Sequence, residues 1–387
     1  MGGVLVISER GPSSRGGLAV ASTRIARQAA ARGEPAHLLY LSKESSPGAR
    51  GHKREPTGLT LHPLGPPSRD ERRRMALTDH ALELVATHEL DLVHGMYGTA
   101  GGYLATLVGA IAGIASVASL RGNDLDRGLF RAADLPFLSH AVREATRVTG
   151  VSRALSSRAA RVFGLPVAHI TNSVDADAFR PERRDNTLAA ALGIPHDAEV
   201  IGFSGELREK KGMRFLLPAF ARLATERPLH LLLIGGVRAD AEDALAVFRD
   251  KVGSEVFRRV HEVEYSRDPS RQSRLMALCD AFVFPSLFEG TPNAVLEAMA
   301  TARPVLATAV GGHLDLIDHG VSGALLPMDA LDRLPDAIEE MLDLSDAERA
   351  AMGAAARERV IVRHAPDDES TAWAALYEAA RADISRT

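Results

Sequence analysis

"TNSVDADAFRPERRD", residues 171–185, divides the chain. Ahead of it, short aliphatic runs alternate with longer Ala/Leu/Arg segments. The stretch itself is polar, rich in turn formers and interrupted by Pro181. Beyond it a fresh apolar run, VIGFS from Val200, starts the alternation again. Strands are expected near 3–8, 36–41, 58–62, 91–95, 114–120, 146–151 and 167–171, then near 198–204, 229–235, 258–263, 280–284, 304–309 and 323–327. Helix-length segments such as 18–32, 76–88, 213–226, 238–252 and 293–301 lie between them. Repeated βα alternation implies parallel sheets with helices on both faces. The restart implies two such α/β domains, expected over 1–185 and 190–365, with the boundary near 180–195. A last helix, about 366–385, has no strand to lead into and is expected to pack back on the first domain. In open α/β sheets, ligands bind outside the carboxyl ends of the strands. Two such edges would serve two substrates.

Composition agrees. A chain of 387 residues suggests two domains of roughly 180 residues each. Its 45% apolar and 25% charged residues are those of a globular protein. Cys279 is the only cysteine, so neither an internal disulfide nor a Cys-rich metal site can form, and a reducing, cytoplasmic setting is favoured. The N-terminal apolar run is only Val4 to Ile7 with no basic segment before it, a buried strand rather than a signal peptide. Gly95 to Leu120 carries no charge and is long enough for a membrane span. Its Gly, Ala, Ser and Thr content reads instead as a buried helix near 101–112 and a strand near 114–120. Residues 1–180 hold 22 Lys and Arg against 16 Asp and Glu, while 181–387 hold 24 against 34. A basic first half suits an anionic acceptor or a membrane surface, and equally an ordinary solvated face. Arg72, Arg73 and Arg74 raise the membrane question again, but Asp70 and Glu71 adjoin them. No nucleic-acid partner is expected.

Three segments can carry chemistry. In "FEGTPNAVLEAMA", 288–300, a loop leaves a strand that ends at Pro285. Thr291 reads as a helix N-cap and Pro292 as the first helical residue. Asn293, Ala294 and Val295 then present backbone N–H groups suited to phosphate. Asn293 and Glu297 share a helix face, and Glu289 sits just ahead. Acids flanking a phosphate accept hydrogen bonds from hydroxyls, which suggests sugars on either side of a diphosphate. A helix-stabilising Glu297 and a plain loop Glu289 is the other reading. In "GFSGELREKKGMRFLL", 202–217, Arg208, Lys210 and Lys211 fall at a strand's carboxyl edge, where they can grip phosphate or simply be solvated. In "SERGPSSRGGLAVAST", 8–23, Gly16 and Gly17 open a helix and permit close backbone approach. Neither GxGxxG nor GxxxxGK[ST] spacing is present, which argues against nicotinamide, flavin and P-loop sites.

Together these residues resemble the retaining, nucleotide-sugar-dependent glycosyltransferases of family 4, or group 1. Asn172, Asp175, Phe179 and Pro181 resemble the family's interdomain segment, Gly205 to Gly212 its phosphate loop, and residues 279–326 its signature with the paired Glu289 and Glu297. The resemblance implies a GT-B fold of two Rossmann-like domains and a hexosyltransferase of bacterial type. The donor is a nucleotide sugar such as a UDP-sugar, and the acceptor an unspecified hydroxyl. Glu297 would hold the ribose and Glu289 the transferring sugar. Gly205 and the backbone of Gly290, Thr291, Pro292, Asn293 and Ala294 would surround sugar and diphosphate, Gly16 and Gly17 would close over them, and Lys211 would bind phosphate. Neither cofactor nor metal is implied. Glu206 stands where the family has arginine, so Arg208 is the expected substitute. Arg121-Gly122 stands where the family often has His-Gly, so Arg121, Asn123 or Asp124 must replace the histidine, and Ala302 replaces a glycine. These departures leave open a non-catalytic nucleotide-sugar-binding partner, and other GT-B enzymes, an epimerase or phosphorylase, share the fold. Oligomeric state is not legible.

Overall fold

The computed structural model describes residues 2–14, 16–67, 70–266 and 268–385, apart from the side chains of Asp70, Glu71 and Asp240. Arg15, within the Gly16-Gly17 loop segment, lies outside the described residues.

The chain forms two compact units, residues 1–172 with 367–387, and residues 173–366. In unit 1 the strands are β1 (Gly3–Ser8), β2 (Ala36–Leu41), β3 (Lys53–Arg54), β4 (Thr60–Leu64), β5 (Leu90–Met96), β6 (Ala115–Leu120), β7 (Arg147–Gly150) and β8 (Ala168–His169). They pair in the order β3-β4-β2-β1-β5-β6-β7-β8. All neighbours are parallel except the edge pair β3 and β4. Alternate residues of β1 divide between two cores. Val4 and Val6 pack with Ile25 of the helix Gly17–Ala31 and with Trp373 and Tyr377 of the helix Pro366–Ile384. Leu5 and Ile7 pack with Leu77 and Leu84 of the helix Asp70–Thr87 and with Val108 of the helix Tyr103–Ala112. Period-2 alternation on a strand thus serves two helical layers. Buried Tyr377 donates or accepts one further bond to His94 Nδ1 at 2.7 Å.

Unit 2 holds β9 (Glu199–Ser204), β10 (Leu229–Ile234), β11 (Val260–Val263), β12 (Ala281–Phe284), β13 (Val305–Thr308) and β14 (Ala324–Leu326). The order is β11-β10-β9-β12-β13-β14, all parallel.

The boundary lies at 172/173, ahead of the expected 180–195. The turn-rich stretch is not a linker. Arg357 donates to the carbonyls of Ala176 (2.9 Å) and Phe179 (3.0 Å), Ser273 Oγ to that of Ala178 (3.2 Å), and Val174 N–H to that of His364 (3.1 Å). A polar segment whose carbonyls are claimed by one domain's arginine belongs to that domain, whatever its composition. Ala302, where a glycine was noted as the family norm, has φ +56°, a left-handed conformation in which a side chain costs roughly 1 kcal/mol. Among the described residues, no helix is long and apolar enough to cross a membrane.

Candidate active site

Unit 2's sheet grows from β9 to β10 and β11 on one side, then returns to add β12, β13 and β14 on the other. The carboxyl ends of β9 and β12 therefore flank a topological switch point, where open α/β sheets leave a ligand crevice. Both chemistry-bearing loops leave these two strands.

From β9 the chain passes Gly205 (φ +120°), extended Arg208, a single 3-10 turn Glu209–Lys211 and Gly212 (φ +78°) into the helix Met213–Ala224. A Cβ at Gly212 would lie 1.9 Å from the Pro285 carbonyl oxygen. That close approach presses the basic loop onto the end of β12. Leu287 N–H donates to the Lys210 carbonyl at 2.9 Å, and the Lys210 ammonium lies 4.4 Å from the Phe288 ring centroid. Lys211 then forms an ion pair with Glu289, and Ser286 Oγ donates to the same carboxylate oxygen at 3.0 Å. Arg208 Nε is buried with no hydrogen-bond partner among the described residues. A buried guanidinium N–H in want of an acceptor can take an anion's oxygen, although, among the described residues, the Nε atoms of Arg158, Arg184, Arg303 and Arg359 are unpaired in the same way.

Glu289 is 7% exposed. Burial alone would raise its carboxyl, but the Lys211 and Lys210 ammonium groups outweigh burial and hold it down to about 2. It is a fixed carboxylate at neutral pH, unable to serve as a proton donor there.

Glycines also fix the acid loop from the far side. A Cβ at Gly311 or Gly312 would lie 1.9 Å from the carbonyl oxygens of Glu289 or Gly290, respectively. His313, which the sequence reading passed over inside its quoted signature, follows them and is fully buried. Its Nδ1 lies 2.8 Å from the Thr308 carbonyl oxygen. A carbonyl only accepts, so Nδ1 carries the proton and Nε2 is a lone-pair acceptor. That Nε2 is buried without a partner among the described residues. Burial keeps the ring neutral despite Glu289.

The helix Asn293–Ala300 begins one residue later than expected. Pro292, not Thr291, is the N-cap, because its φ −77° and ψ 119° are extended rather than helical. Asn293, Ala294 and Val295 remain the first-turn residues, whose N–H groups have no intrahelical acceptor. Glu297 is 6% exposed, one turn further on. Lys211, Arg208, Gly205, Gly290, Thr291, Pro292, Asn293, Ala294, Glu289 and Glu297 thus all belong to unit 2, and its fold joins Lys211 to Glu289 directly.

Gly16, Gly17 and Arg121 belong to unit 1. Gly16 caps the helix Gly17–Ala31 at φ +105°, ψ 161°, a conformation only glycine adopts readily, with open space where a Cβ would point. The Arg121 guanidinium donates to Asn172 Oδ1 at 2.6 Å, an oxygen shared with Arg24 at 3.0 Å, and Arg24 forks onto Glu369. Burial and the neighbouring Arg24 bring Arg121 down to about 10. Asp124 accepts backbone N–H groups from Gly98, Arg121, Gly122 and Leu125 at 2.8–3.1 Å, and Asp126 pairs with Arg158. The Asp124 carboxylate is thus engaged by the loop's own backbone.

At the carboxyl ends of β1, β2 and β5, unit 1 also has a cavity of about 360 Å³ that the sequence reading did not foresee. Arg73, Arg74, Arg127 and Arg131 line it, against Glu9, Asp124 and Asp134. Two members of the 72–74 arginine run, whose acidic neighbours favour a solvated helix over a membrane signal, therefore line this cavity. Tyr97, also in the lining, has φ +80°. An outlier of that kind in a bulky residue stores strain of order 1–3 kcal/mol and clusters at ligand sites.

The Glu289 carboxyl makes stability depend on pH. Its folded value lies below its ordinary one, so its contribution is present at neutral pH and is lost as pH falls from 4.5 toward about 2. The loss amounts to ~3 kcal/mol. Glu289→Gln removes the titration. The urea stability gap of unit 2 between wild type and variant, read by hydrogen exchange of β9 and β12 amides, should shrink as pH drops from 6 to 3. A gap constant with pH would contradict the pairing.

The family model "Glycosyl transferases group 1" matches residues 198–344, and "Glycosyltransferase Family 4" matches residues 15–178. The D-inositol 3-phosphate glycosyltransferase of Mycolicibacterium smegmatis is 30% identical over 338 residues, 80% of this chain and 71% of the relative. That of Corynebacterium urealyticum is 31% identical over 191 residues, 48% of this chain, so the chain spans 45% of that relative's length. Among solved structures, the sucrose-phosphate synthase of Thermosynechococcus elongatus superposes with a TM-score of 0.82 at 19% identity, covering 98% of each chain. The fold is GT-B.

Proposed function

We infer that this chain, which belongs to the glycosyltransferases of family 4 and group 1, moves a hexosyl group from a nucleoside-diphosphate sugar to an acceptor hydroxyl. In this reading the anomeric configuration is retained and no metal acts at the reacting bond. The observation that carries it is the Lys211–Glu289 pair at the switch point of unit 2.

Cleavage of the donor leaves negative charge on a diphosphate. Lys211, the Arg208 guanidinium with its Nε unpaired among the described residues and the N–H groups of Asn293, Ala294 and Val295 are preorganised to meet it. Lys211 is neutralised by Glu289 until donor phosphate arrives, so the cation need not stay unpaired. Glu289, a permanent carboxylate, accepts hydrogen bonds from the sugar and stabilises oxocarbenium character. It does not donate a proton. Attack on the face that the phosphate leaves lets the departing phosphate oxygen take the acceptor's proton. Glu297 holds the ribose. Gly205, Gly290, Thr291 and Pro292 frame the diphosphate. His313 Nε2 adds an acceptor for a sugar hydroxyl. The protein works in the cytoplasm.

The acceptor in this reading is a phosphorylated polyol or sugar. Its support is the arginine-rich cavity of unit 1, the basic balance of the first half, and relatives named for inositol 3-phosphate. The test is transfer with EDTA present, at a temperature below unfolding, from UDP- and GDP-hexoses to phosphorylated and unphosphorylated acceptors, with the product anomer assigned by NMR. An α-anomer from an α-donor, formed about tenfold or more faster with the phosphorylated acceptor, is expected, since a charge-assisted contact contributes 1.5–3 kcal/mol. An inverted product, or activity that returns only with added Mn²⁺, overturns it.

A further inference from the structure

We propose that unit 1 holds a site for one borderline-soft divalent cation, Zn²⁺ above all, ligated by His37, His62 and His88. His37 lies on β2 and His62 on β4, in a register that pairs Leu39 with His62. Both rings therefore stand on one face, since Leu39 and Leu64, two residues on from each, share a core with Leu77 and Leu84 of the helix Asp70–Thr87. His88 follows the end of that helix. A ring nitrogen from each of the three lies within 4.8 Å of the others. His37 Nδ1 and His62 Nε2 are 2.9 Å apart, and the rings of His37 and His88 are 4.2 Å apart between centroids. Tetrahedral zinc with Zn–N near 2.0–2.1 Å places its ligand nitrogens about 3.4 Å from one another. Small ring rotations reach that spacing.

The chemistry fits. His37 and His62 are buried, and burial favours the neutral imidazole, the form that ligates. An imidazole-to-imidazole hydrogen bond accounts for two rings but not for a third or a fourth. His80 is 5% exposed, its Nδ1 lies 3.5 Å from a Glu83 carboxylate oxygen, and its Nε2 is buried without a hydrogen-bond partner among the described residues. Its ring stands edge-on, 6.0 Å from that of His62, beside the three-histidine cluster rather than within it. An all-imidazole set selects Zn²⁺, Ni²⁺ or Cu²⁺ and rejects Mg²⁺ and Ca²⁺, which require oxygen. Arg50, whose charge acts on His80, is paired with the same Glu83 carboxylate. A bound ion would join β2, β4 and the end of the helix, bracing the edge of the sheet where β3 adds only two exposed residues. The site is separate from the reacting bond in unit 2, so metal-independent transfer is a different question.

His230 and His261 of unit 2 provide a control, being a stacked pair 2.8 Å apart with no third ring in the cluster among the described residues. The full chain, stripped with a chelator, is titrated with Zn²⁺ against a chromophoric competitor. One equivalent is expected, with visible ligand-field bands on Co²⁺ substitution. The unfolding midpoint of unit 1, read by fluorescence of Trp373, the only tryptophan, should rise. Exposed His88→Ala should fold normally and bind about hundredfold more weakly or worse, whereas His261→Ala should bind as wild type does. Unchanged affinity in His88→Ala, equal stabilisation by Mg²⁺, or uptake only beyond one equivalent with a falling midpoint overturns the site.

Discussion

Glu289→Gln should lower turnover by about 10²–10³-fold, the effect of removing one preorganised electrostatic contact at a reacting centre, while nucleoside diphosphate still binds. The substitution keeps the side chain's shape and its reach to Ser286 but removes the charge. In the proposed reaction that charge faces a sugar whose anomeric carbon becomes cationic, so the deficit belongs in kcat more than in KM. Steady-state rates at saturating donor and acceptor, with calorimetric titration of the nucleoside diphosphate, separate the two. The experiment also distinguishes an enzyme from a nucleotide-sugar-binding partner. A binding protein would show no turnover to lose, and a Glu289 that merely positions the loop would leave kcat within a few-fold of wild type.

The strands were legible because they are buried on both faces. β1, β9 and β10 are fully buried or nearly so along their length, and a strand with two covered faces reads as a continuous aliphatic run whose ends turn chemistry marks. β3 was not legible. Lys53 and Arg54 are both exposed and pair with β4 only through their backbone, which leaves no side-chain signal. The helix Asp70–Thr87 starts six residues before the expected 76 because its first turns are charged and lack an apolar stripe. The unit boundary was misplaced for the converse reason. Residues 173–185 look like a linker in composition, but Arg357, far along the chain, claims their carbonyls.

The candidate site was legible only in pieces. Local chemistry identified a helix start at Asn293 and a basic loop at Arg208–Lys211. Nothing local joins Lys211 to Glu289, which lie 78 residues apart; the parallel order that places β12 beside β9 does so. His313 escaped notice because a lone buried histidine after two glycines has no distinctive spacing. Its meaning appears only when Gly311 and Gly312 are seen against the Glu289 and Gly290 carbonyls. The histidine cluster of unit 1 is invisible for the same reason, its members drawn from two strands and the residue after a helix. The cavity arginines show a further limit. A charge run on a helix reads as solvated surface unless the fold turns it toward the strand ends, as it does with Arg73 and Arg74.

Lys211→Met should have two effects that a double-mutant cycle can separate. Transfer falls at least as far as in Glu289→Gln, because the ammonium is the compact positive charge aimed at the departing diphosphate. Affinity for the nucleoside diphosphate also falls, while affinity for the bare nucleoside does not. Stability suffers too. Glu289 is nearly buried, and stripping a buried carboxylate of its cation costs about 3–5 kcal/mol. Adding Glu289→Gln to Lys211→Met removes the uncompensated charge, so the double variant should be more stable than Lys211→Met alone, by ~2 kcal/mol or more at pH 7. Turnover should not recover with stability, since the groups that face diphosphate and sugar are both gone. The unfolding of unit 2 must be followed by hydrogen exchange of its own amides, because the single tryptophan belongs to unit 1. If the second substitution fails to restore stability, Lys211 and Glu289 are not coupled in the folded protein. If it restores turnover as well, the lysine serves the fold and not the leaving group.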